Sequence, residues 1–282
     1  GSLFATKSTN LYSPSSGNII NIPDTELYDY SSSWSIPNLN FIVFDLKCDT
    51  SGNIISLEGD QWSANYYLIR KYNSSGVLQS TFVSNSGGPF YNIQFNLDVN
   101  DNIYVVYSGT VVKYSNNGSL AGSWDPGAIN PISIAADSSG NIFIANTTDR
   151  KIYKYDSNCN FISSFGGEGI GNGTFGNFYQ FDFEIDSSDN LVVLDGGNKL
   201  IQKLNNNGGF ISQFATAEYE ISKLGMDGAA NIYTSKKYSN AGTYIAGLPS
   251  STCIAVESTG NSFYISSSFS GESTIIKKYS KL

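Results

Sequence analysis

The side chains that most often perform chemistry are unevenly represented in this chain of 282 residues. Histidine is absent, whereas aspartate and glutamate together number 24. The absence of histidine excludes Ser-His-Asp and Cys-His nucleophiles, histidine general bases and imidazole zinc sites. A divalent cation held by carboxylate and amide oxygens is not excluded by the absence of histidine.

Two short motifs resemble ligand-binding loops but lack the context that such loops need. Residues 171–176 fit the pattern GxGxxG, yet no helical periodicity follows them, as a dinucleotide site requires. Residues 98–102 (DVNDN) resemble the start of a calcium loop, but Ile103 stands where the EF-hand turn needs glycine. We interpret neither motif as a site, and we expect no cofactor, with a divalent cation such as calcium as the alternative.

Charge and composition limit the class of protein. Acidic residues outnumber basic ones by 24 to 16, and the basic residues are scattered singly, which argues against binding to nucleic acid or anionic membranes. No run of 18 apolar residues occurs, so membrane insertion is not expected. The sparse charge and the abundance of Asn, Ser, Thr and Tyr favour an extracellular or cell-surface protein. We expect a monomer.

One pattern recurs along the chain at intervals of about 40 residues. It consists of an acidic residue, three small or polar residues, Asn and then β-forming residues. The copies start at Asp49, Asp98, Asp137, Asp186, Asp227 and Glu257, with a weaker first copy at Pro14. We interpret the repeated Asp…Asn pairs as Asx-type turns, in which the carboxylate accepts backbone N–H groups.

A second marker keeps step with the first. It is a Lys followed by an aromatic or aliphatic residue, at Lys71, Lys113, Lys154, Lys203, Lys237 and Lys278. An Asn- and Gly-rich turn and another strand follow most of these lysines, which is the pattern of a β-hairpin. Each repeat therefore contains two hairpins, and a period near 40 residues with four short strands predicts the blade of a β-propeller.

At this point the chain resembles the NHL-repeat propeller family. The unit that carries the resemblance is residues 131–176, with a D-x-x-G-N turn, an Asp149-Arg150 loop, a hairpin and a glycine-rich tail ending in Phe175 and Gly176. The sequence thus predicts one all-β domain over residues 1–282, a propeller of four-stranded antiparallel blades. Seven blades are favoured over six, with approximate limits 9–40, 41–91, 92–128, 129–176, 177–216, 217–249 and 250–282.

The last repeat ends one strand short of a full blade. Residues 3–8 (LFATKS) have the length of an outer strand, so we expect this N-terminal segment to pair beside Ile275–Tyr279 and to close the ring. Such pairing satisfies backbone groups that would otherwise form an open edge.

The turns of a propeller sort into two faces. The Asp…Asn turns and the turns after the lysines share one face, which we call the turn face. The loops between second and third strands and the links between blades share the other, which we call the loop face. Because the predicted loops of the loop face vary, we expect the ligand to bind there. The candidate residues are Trp62, Tyr91, Trp124, Arg150, Tyr179, Asp195 and Tyr219.

Three functions remain open at this stage. The preferred one is a non-catalytic module that binds a peptide, a protein or a glycan through aromatic side chains and hydrogen bonds. The alternative is a metal-dependent enzyme similar to propeller lactonases or lyases. Its carboxylates would be those at or near innermost strands, namely Asp45, Asp182, Glu184 and Glu220. A structural spacer is the third function.

Overall fold

A computed structural model of the chain describes residues 10–12, 19–21, 28–37, 41–60, 66–86, 93–107, 109–127, 131–177, 180–216, 223–249, 253–267 and 274–281. Within these ranges β-strands alternate with turns and no α-helix is present, as the sequence pattern predicts. The described part of the chain accordingly contains no helix that is long and apolar enough to span a membrane.

Most strands belong to six antiparallel four-stranded sheets, which we number as blades. The first strands within the described ranges are β1 (Asn10–Tyr12) and β2 (Ile19–Asn21), which pair antiparallel as a hairpin, and β3 (Tyr28–Ser35). Blade 1 contains β4 (Phe41–Cys48), β5 (Ile54–Asp60), β6 (Tyr66–Tyr72) and β7 (Leu78–Ser86). Blade 2 contains β8 (Gln94–Leu97), β9 (Ile103–Tyr107), β10 (Thr110–Tyr114) and β11 (Leu120–Trp124). Blade 3 contains β12 (Pro131–Ala136), β13 (Ile142–Asn146), β14 (Lys151–Tyr155) and β15 (Phe161–Gly166).

The remaining three blades follow in the same order. Blade 4 contains β16 (Phe181–Ile185), β17 (Leu191–Asp195), β18 (Leu200–Leu204) and β19 (Phe210–Ala215). Blade 5 contains β20 (Gly225–Met226), β21 (Ile232–Tyr233), β22 (Lys236–Tyr238) and β23 (Tyr244–Gly247). Blade 6 contains β24 (Cys253–Val256), β25 (Ser262–Ser267) and β26 (Ile275–Lys281), with β3 as its outer strand.

Apolar side chains hold the blades in a ring. The described residues form six buried clusters, and each cluster lies between two neighbouring blades. Between blades 3 and 4, for example, Phe143 packs with Phe183 and Val193. The cluster between blades 6 and 1 joins Tyr264 and Ile276 to Tyr72 and so closes the circle. The molecule is therefore a β-propeller of antiparallel four-stranded blades.

The blade number and the closing segment differ from the preferred prediction. The described residues form six blades, so the prediction of seven is wrong and the alternative of six holds. Residues 9–40 do not form a blade, because their described strands split between a hairpin and the outer edge of blade 6.

The edge beside β26 is occupied by β3, with Ser35 opposite Ile275 and Tyr28 opposite Lys281. The assignment of residues 3–8 to that edge is therefore wrong, although those residues themselves lie outside the described ranges. An unpaired edge strand exposes backbone N–H and C=O groups, and β3 pairs them.

An aromatic side chain of several outer strands packs over a turn of the next blade. Phe165 lies over Gly208 and Phe214 over Gly242, two glycines with φ of +82° and +83° at which a Cβ would contact the ring. Trp34 of β3 lies in the same way over Gly76 of blade 1. Trp34 thus shows that β3 has the contacts of an outer strand as well as its backbone pairing.

The turn at Asp186 shows how the two sequence markers are connected. In blade 4 the N–H groups of Ser188 and Asn190 each donate to Asp186 Oδ1 over 2.9 Å, so the predicted Asx-type turn is confirmed. The amide of Asn190 donates to the same carboxylate. Lys203 of the third strand donates to Asp186 Oδ2 over 2.8 Å. The same pairing occurs between Lys71 and Asp49 and between Lys278 and Glu257, so in three blades the lysine of the second marker holds the acidic residue of the first.

The closing strand can be tested at its tryptophan. We expect Trp34→Ala to lower the free energy of unfolding by about 3 kcal/mol, because the large ring fills the space between Tyr72, Tyr264 and Gly76. Urea denaturation measures this change. The control is Leu120→Ala, since the Leu120 side chain is 68% exposed at the start of another outer strand. Equal effects of the two substitutions would contradict the assignment of β3 to blade 6.

The acidic turns predict how stability depends on pH. Burial alone raises the pKa of Asp186, but the hydrogen bonds from Lys203 and Asn190 outweigh burial and hold this pKa below its ordinary value. The ionised carboxylate therefore stabilises the fold above the unfolded pKa of about 4, and this contribution is lost as the pH falls through the lower folded pKa.

We expect Asp186→Asn to be less stable than the wild type at pH 7 and to approach it near pH 2. The asparagine side chain retains an acceptor for the turn but lacks the charge that attracts Lys203. Denaturant unfolding at a series of pH values measures the difference. The exposed residue Asp125 provides a control, because it forms no ion pair among the described residues, and Asp125→Asn should show no such trend. A difference that stays constant with pH would refute the assignment.

Candidate functional site

The innermost strands place polar side chains in the centre of the ring. Because side chains alternate along a strand, Asp182 and Glu184 share one side of β16, whereas Phe181, Phe183 and Ile185 pack between blades. The same alternation puts Gln94 and Asn96 together on β8. Asp45 and Lys47 of β4, Ser133 of β12 and Lys223 before β20 complete the set. Their contacts join four blades and the start of a fifth.

The first group of contacts surrounds Glu184. One carboxylate oxygen of Glu184 pairs with the ammonium of Lys47, and the other accepts a hydrogen bond from the Asn96 amide over 3.1 Å. Burial raises the pKa of Glu184, and nearby Asp182 adds to the rise. Burial by itself lowers the pKa of Lys47, but the surrounding carboxylates, above all Glu184, outweigh burial and raise it. Burial thus opposes ionisation of Glu184, and the positive charge of Lys47 favours it.

A second group surrounds Lys223. Its ammonium lies 2.9 Å from Asp45 Oδ2 and also donates to Gln94 Oε1. Burial lowers the pKa of Lys223, yet Asp45 and Asp182 outweigh burial and raise it above the usual value. Asp182 itself accepts hydrogen bonds from the Ser133 hydroxyl over 2.7 Å and from the Leu224 N–H over 3.0 Å. The carboxylates of the channel are therefore compensated by lysine and by neutral donors.

A cavity of about 290 Å³ opens from this network toward the turn face. Its floor includes Lys47, Asn96 and Glu184. Its wall consists of apolar side chains at the ends of the innermost strands, and its rim belongs to the acidic turns of five blades. The apolar lining residues are Leu97, Val99, Ala135, Ala136, Ile185, Met226, Ile254, Ala255 and Val256. The arrangement offers a ligand a polar end, an apolar body and an acidic entrance.

The rim carboxylates fall into two kinds. Asp49 and Asp186 pair with Lys71 over 2.6 Å and with Lys203 over 2.8 Å. Asp98, Asp101 and Asp227 line the cavity as well, but among the described residues none of these three forms an ion pair with Lys or Arg. The entrance therefore carries an excess of negative charge.

The carboxylates predicted as metal ligands lie in the same channel. Asp45, Asp182 and Glu184 are connected through the two lysine-centred groups, whereas Glu220 lies outside the described residues. Within the described ranges, no group of three or more Asp, Glu, Cys or His side chains has an arrangement that could hold a metal ion. Lys47 and Lys223 supply the positive charge that compensates Glu184 and Asp45, a role that a metal cation would otherwise have.

Three of the residues predicted to bind a ligand fall within the described ranges. Trp124 is half-buried at the end of an outer strand and packs against the cluster between blades 2 and 3, a position equivalent to that of Phe165. Arg150 pairs with Glu168 over 2.6 Å at a partly exposed position. The structure does not bring these residues to one site.

Asp195, the third of them, is fully buried. Its carboxylate accepts hydrogen bonds from the Gly176 N–H and from the side chains of Asn198 and Gln202. These contacts anchor the glycine-rich segment that links blade 3 to blade 4. Trp62, Tyr91, Tyr179 and Tyr219 lie outside the described residues, so their assignment to the loop face stays a prediction.

The cavity was not predicted from the sequence, because the repeated turns of the turn face indicated architecture alone. Three channel carboxylates were predicted as candidates, but neither of the lysines that compensate them was. A signal was present, since Lys47 follows Asp45 by two residues and therefore shares its side of an innermost strand. Lys223 precedes β20 in a segment whose strand was too short to recognise from periodicity.

Comparisons with solved structures support the fold. A streptogramin B lyase aligns with a TM-score of 0.56 and 13% identity, over 83% of this chain and 79% of that chain. A catalytically inactive virginiamycin B lyase from Staphylococcus aureus with quinupristin gives a TM-score of 0.57 and 9% identity, over 91% of this chain and 100% of that chain. A protein of unknown function from Bacteroides caccae aligns with a TM-score of 0.53 and 10% identity, over 74% of this chain and 82% of that chain.

Identities this low show a shared β-propeller fold and nothing about activity. No protein-family model matches the sequence, and no curated protein matches it.

The channel pairs can be tested by removing one partner. We expect Lys223→Met to lower the free energy of unfolding by about 3 kcal/mol or more, because Asp45 is left buried and uncompensated. The control is Arg150→Met, whose ion pair with Glu168 is largely exposed and should contribute less than about 1 kcal/mol. Thermal and urea unfolding measure both. If Lys223→Met and Arg150→Met lower the free energy of unfolding equally, the pair of Lys223 and Asp45 does not have the energetics of a buried ion pair.

Proposed function

We propose that this chain is a non-catalytic ligand-binding β-propeller and that its ligand binds in the central cavity on the turn face. The observation that carries the proposal is the cavity itself, which holds about 290 Å³ between a polar floor and an apolar wall. Small-molecule sites combine these features, with a few polar groups that orient the ligand. Because the wall belongs to strands fixed by packing between blades, the site is preformed and needs little rearrangement.

The loop face remains a second candidate surface. Its predicted aromatic residues suit a peptide, a protein or a glycan, in keeping with an extracellular or cell-surface protein. Among the candidates on this face that the structure describes, Arg150 has 29% of its side chain exposed. The central cavity is favoured because residues of all six blades line one and the same volume.

Membership of the NHL-repeat group is part of the same proposal. Its support comes from residues 131–176, where the turn from Asp137 to Asn141 forms as the repeat requires. In the Asp149-Arg150 loop, Asp149 accepts a hydrogen bond from Tyr153 over 2.6 Å, and Phe175 is fully buried. These features agree with the resemblance, while the structural neighbours support propellers in general.

The alternative is a metal-dependent lactonase- or lyase-like enzyme. The convergence of Asp45, Asp182 and Glu184 on one channel is the observation that favours it, and two of the structural neighbours are lyases. Lys47 and Lys223 weigh against it, because each ammonium would repel an incoming cation. A calcium titration followed by calorimetry separates the two functions, since the enzyme requires saturable binding that Glu184→Gln abolishes. The third function, a purely structural spacer, does not require the cavity. If the chain is a spacer, no ligand should bind.

Substitutions on the rim test the cavity. Ser187 and Ser188 are neighbours in one turn and both are exposed, but only Ser187 lines the cavity. We expect Ser187→Trp combined with Val99→Trp to weaken ligand binding by about tenfold or more through steric obstruction. The matched control, Ser188→Trp combined with Asn100→Trp, should bind as the wild type does.

The measurement is a screen of small molecules by ligand-observed NMR, repeated on both double variants. Melting temperatures should agree among the three proteins, because exposed turn substitutions change stability little. If every ligand found binds the obstructed variant and the control equally, the site is not the central cavity.

A further inference from the structure

We propose that the central cavity binds an aliphatic cation whose opposite end carries a hydrogen-bond acceptor, an ω-amino carboxylate being the simplest member of this class. This inference rests on the proposed function and names the chemistry of its ligand. It follows from the order of charge along the cavity, from the rim to the floor.

The rim is negative beyond what the protein compensates. One lysine, Lys47, lines the cavity together with six carboxylates, which are Asp49, Asp98, Asp101, Glu184, Asp186 and Asp227. Lysines pair with Asp49, Glu184 and Asp186. Three carboxylates therefore remain without a cationic partner among the described residues.

These three carboxylates receive hydrogen bonds only from neutral donors. Asp98 accepts from the N–H groups of Asn100 and Asn102, at 2.9 Å each, and from the Asn102 amide. Asp227 accepts from its own turn in the same manner. Asp101 accepts from the N–H and the hydroxyl of Thr50, over 2.9 and 2.7 Å. Neutral donors leave the net charge in place, so the entrance attracts cations and repels anions.

The wall below the rim selects an apolar body. Leu97, Ile185 and Met226 contribute aliphatic and thioether surface between the charged rim and the floor. An unbranched aliphatic chain buries its methylene groups there without leaving polar atoms unpaired. A hydrophilic ligand such as a sugar would lose hydrogen bonds to water at the same level.

The floor fixes the direction of the ligand. The Lys47 ammonium has three N–H donors, and its described hydrogen bond is the one to Glu184. Its remaining donors suit a carboxylate or carbonyl oxygen of the ligand. Its positive charge also keeps the ligand's own cation away from the floor, so the cation stays at the rim.

Three probes with six carbon atoms each separate these contributions. We expect 6-aminohexanoate to bind most tightly, hexylamine to bind about tenfold more weakly because it lacks the acceptor for Lys47, and hexanoate not to bind detectably. Isothermal titration calorimetry or chemical-shift titration measures the three affinities. Hexanoate binding as tightly as 6-aminohexanoate would overturn the proposal.

A matched pair of variants tests the rim. Asp101 and Asp189 occupy equivalent turn positions, with φ of +61° and +59°, and each accepts two hydrogen bonds from a Thr or Ser of the neighbouring blade. Only Asp101 lines the cavity. Asparagine tolerates this backbone conformation, so Asp101→Asn and Asp189→Asn should both fold.

We expect Asp101→Asn to weaken binding of 6-aminohexanoate roughly threefold to fivefold, and Asp189→Asn to leave it unchanged. Equal affinities of the two variants would refute the role of the rim charge.

Failure of the class and failure of the site give different results. If neutral or anionic molecules bind in the screen and the Val99→Trp, Ser187→Trp variant excludes them, the cavity is a binding site but the ligand class is wrong. If this variant excludes no ligand at all, the proposed function fails together with the inference.

Discussion

The fold depends on apolar packing between blades, because each described hydrophobic cluster is shared by two neighbouring sheets. A four-stranded sheet of this kind has two apolar faces and no core of its own, so it is stable only between two others. The ring must therefore close. Strand β3 and its Trp34 accomplish this by completing blade 6 and packing onto blade 1.

Closure of the ring also creates the conditions for the site. Six innermost strands surround the central channel, and the buried polar side chains on these strands need hydrogen-bond or ionic partners. Lys47 and Lys223 satisfy the channel carboxylates in its middle. Toward the turn face, smaller side chains such as Ala136 leave room for a cavity. The packing that stabilises the disc thus leaves a site lined by residues from every blade.

Local features of this structure were predictable from the sequence, whereas long-range ones were not. The Asp…Asn turns and the Lys marker depend on residues within one repeat, so their spacing predicted the turns and the four-stranded blade. The blade number depended on the partner of β26, which lies more than two hundred residues away in β3. The short strands near the N-terminus were compatible both with a separate first blade and with an outer strand of the last blade. The pairing of β3 with β26 decides for the outer strand. The cavity likewise depends on Lys47 of one blade meeting Glu184 of another.

The position of β3 has a consequence for how the molecule is made. A ribosome synthesises β3 before blade 1 and its partner β26 after all other strands, so blade 6 cannot be completed during most of translation. Blades 2 to 5 can assemble onto one another as they emerge, since each contacts its predecessor. Throughout this period the outward faces of the first and last blades and the tryptophan of β3 stay exposed to solvent. Strand β3 must therefore remain without its partner until β26 has been synthesised.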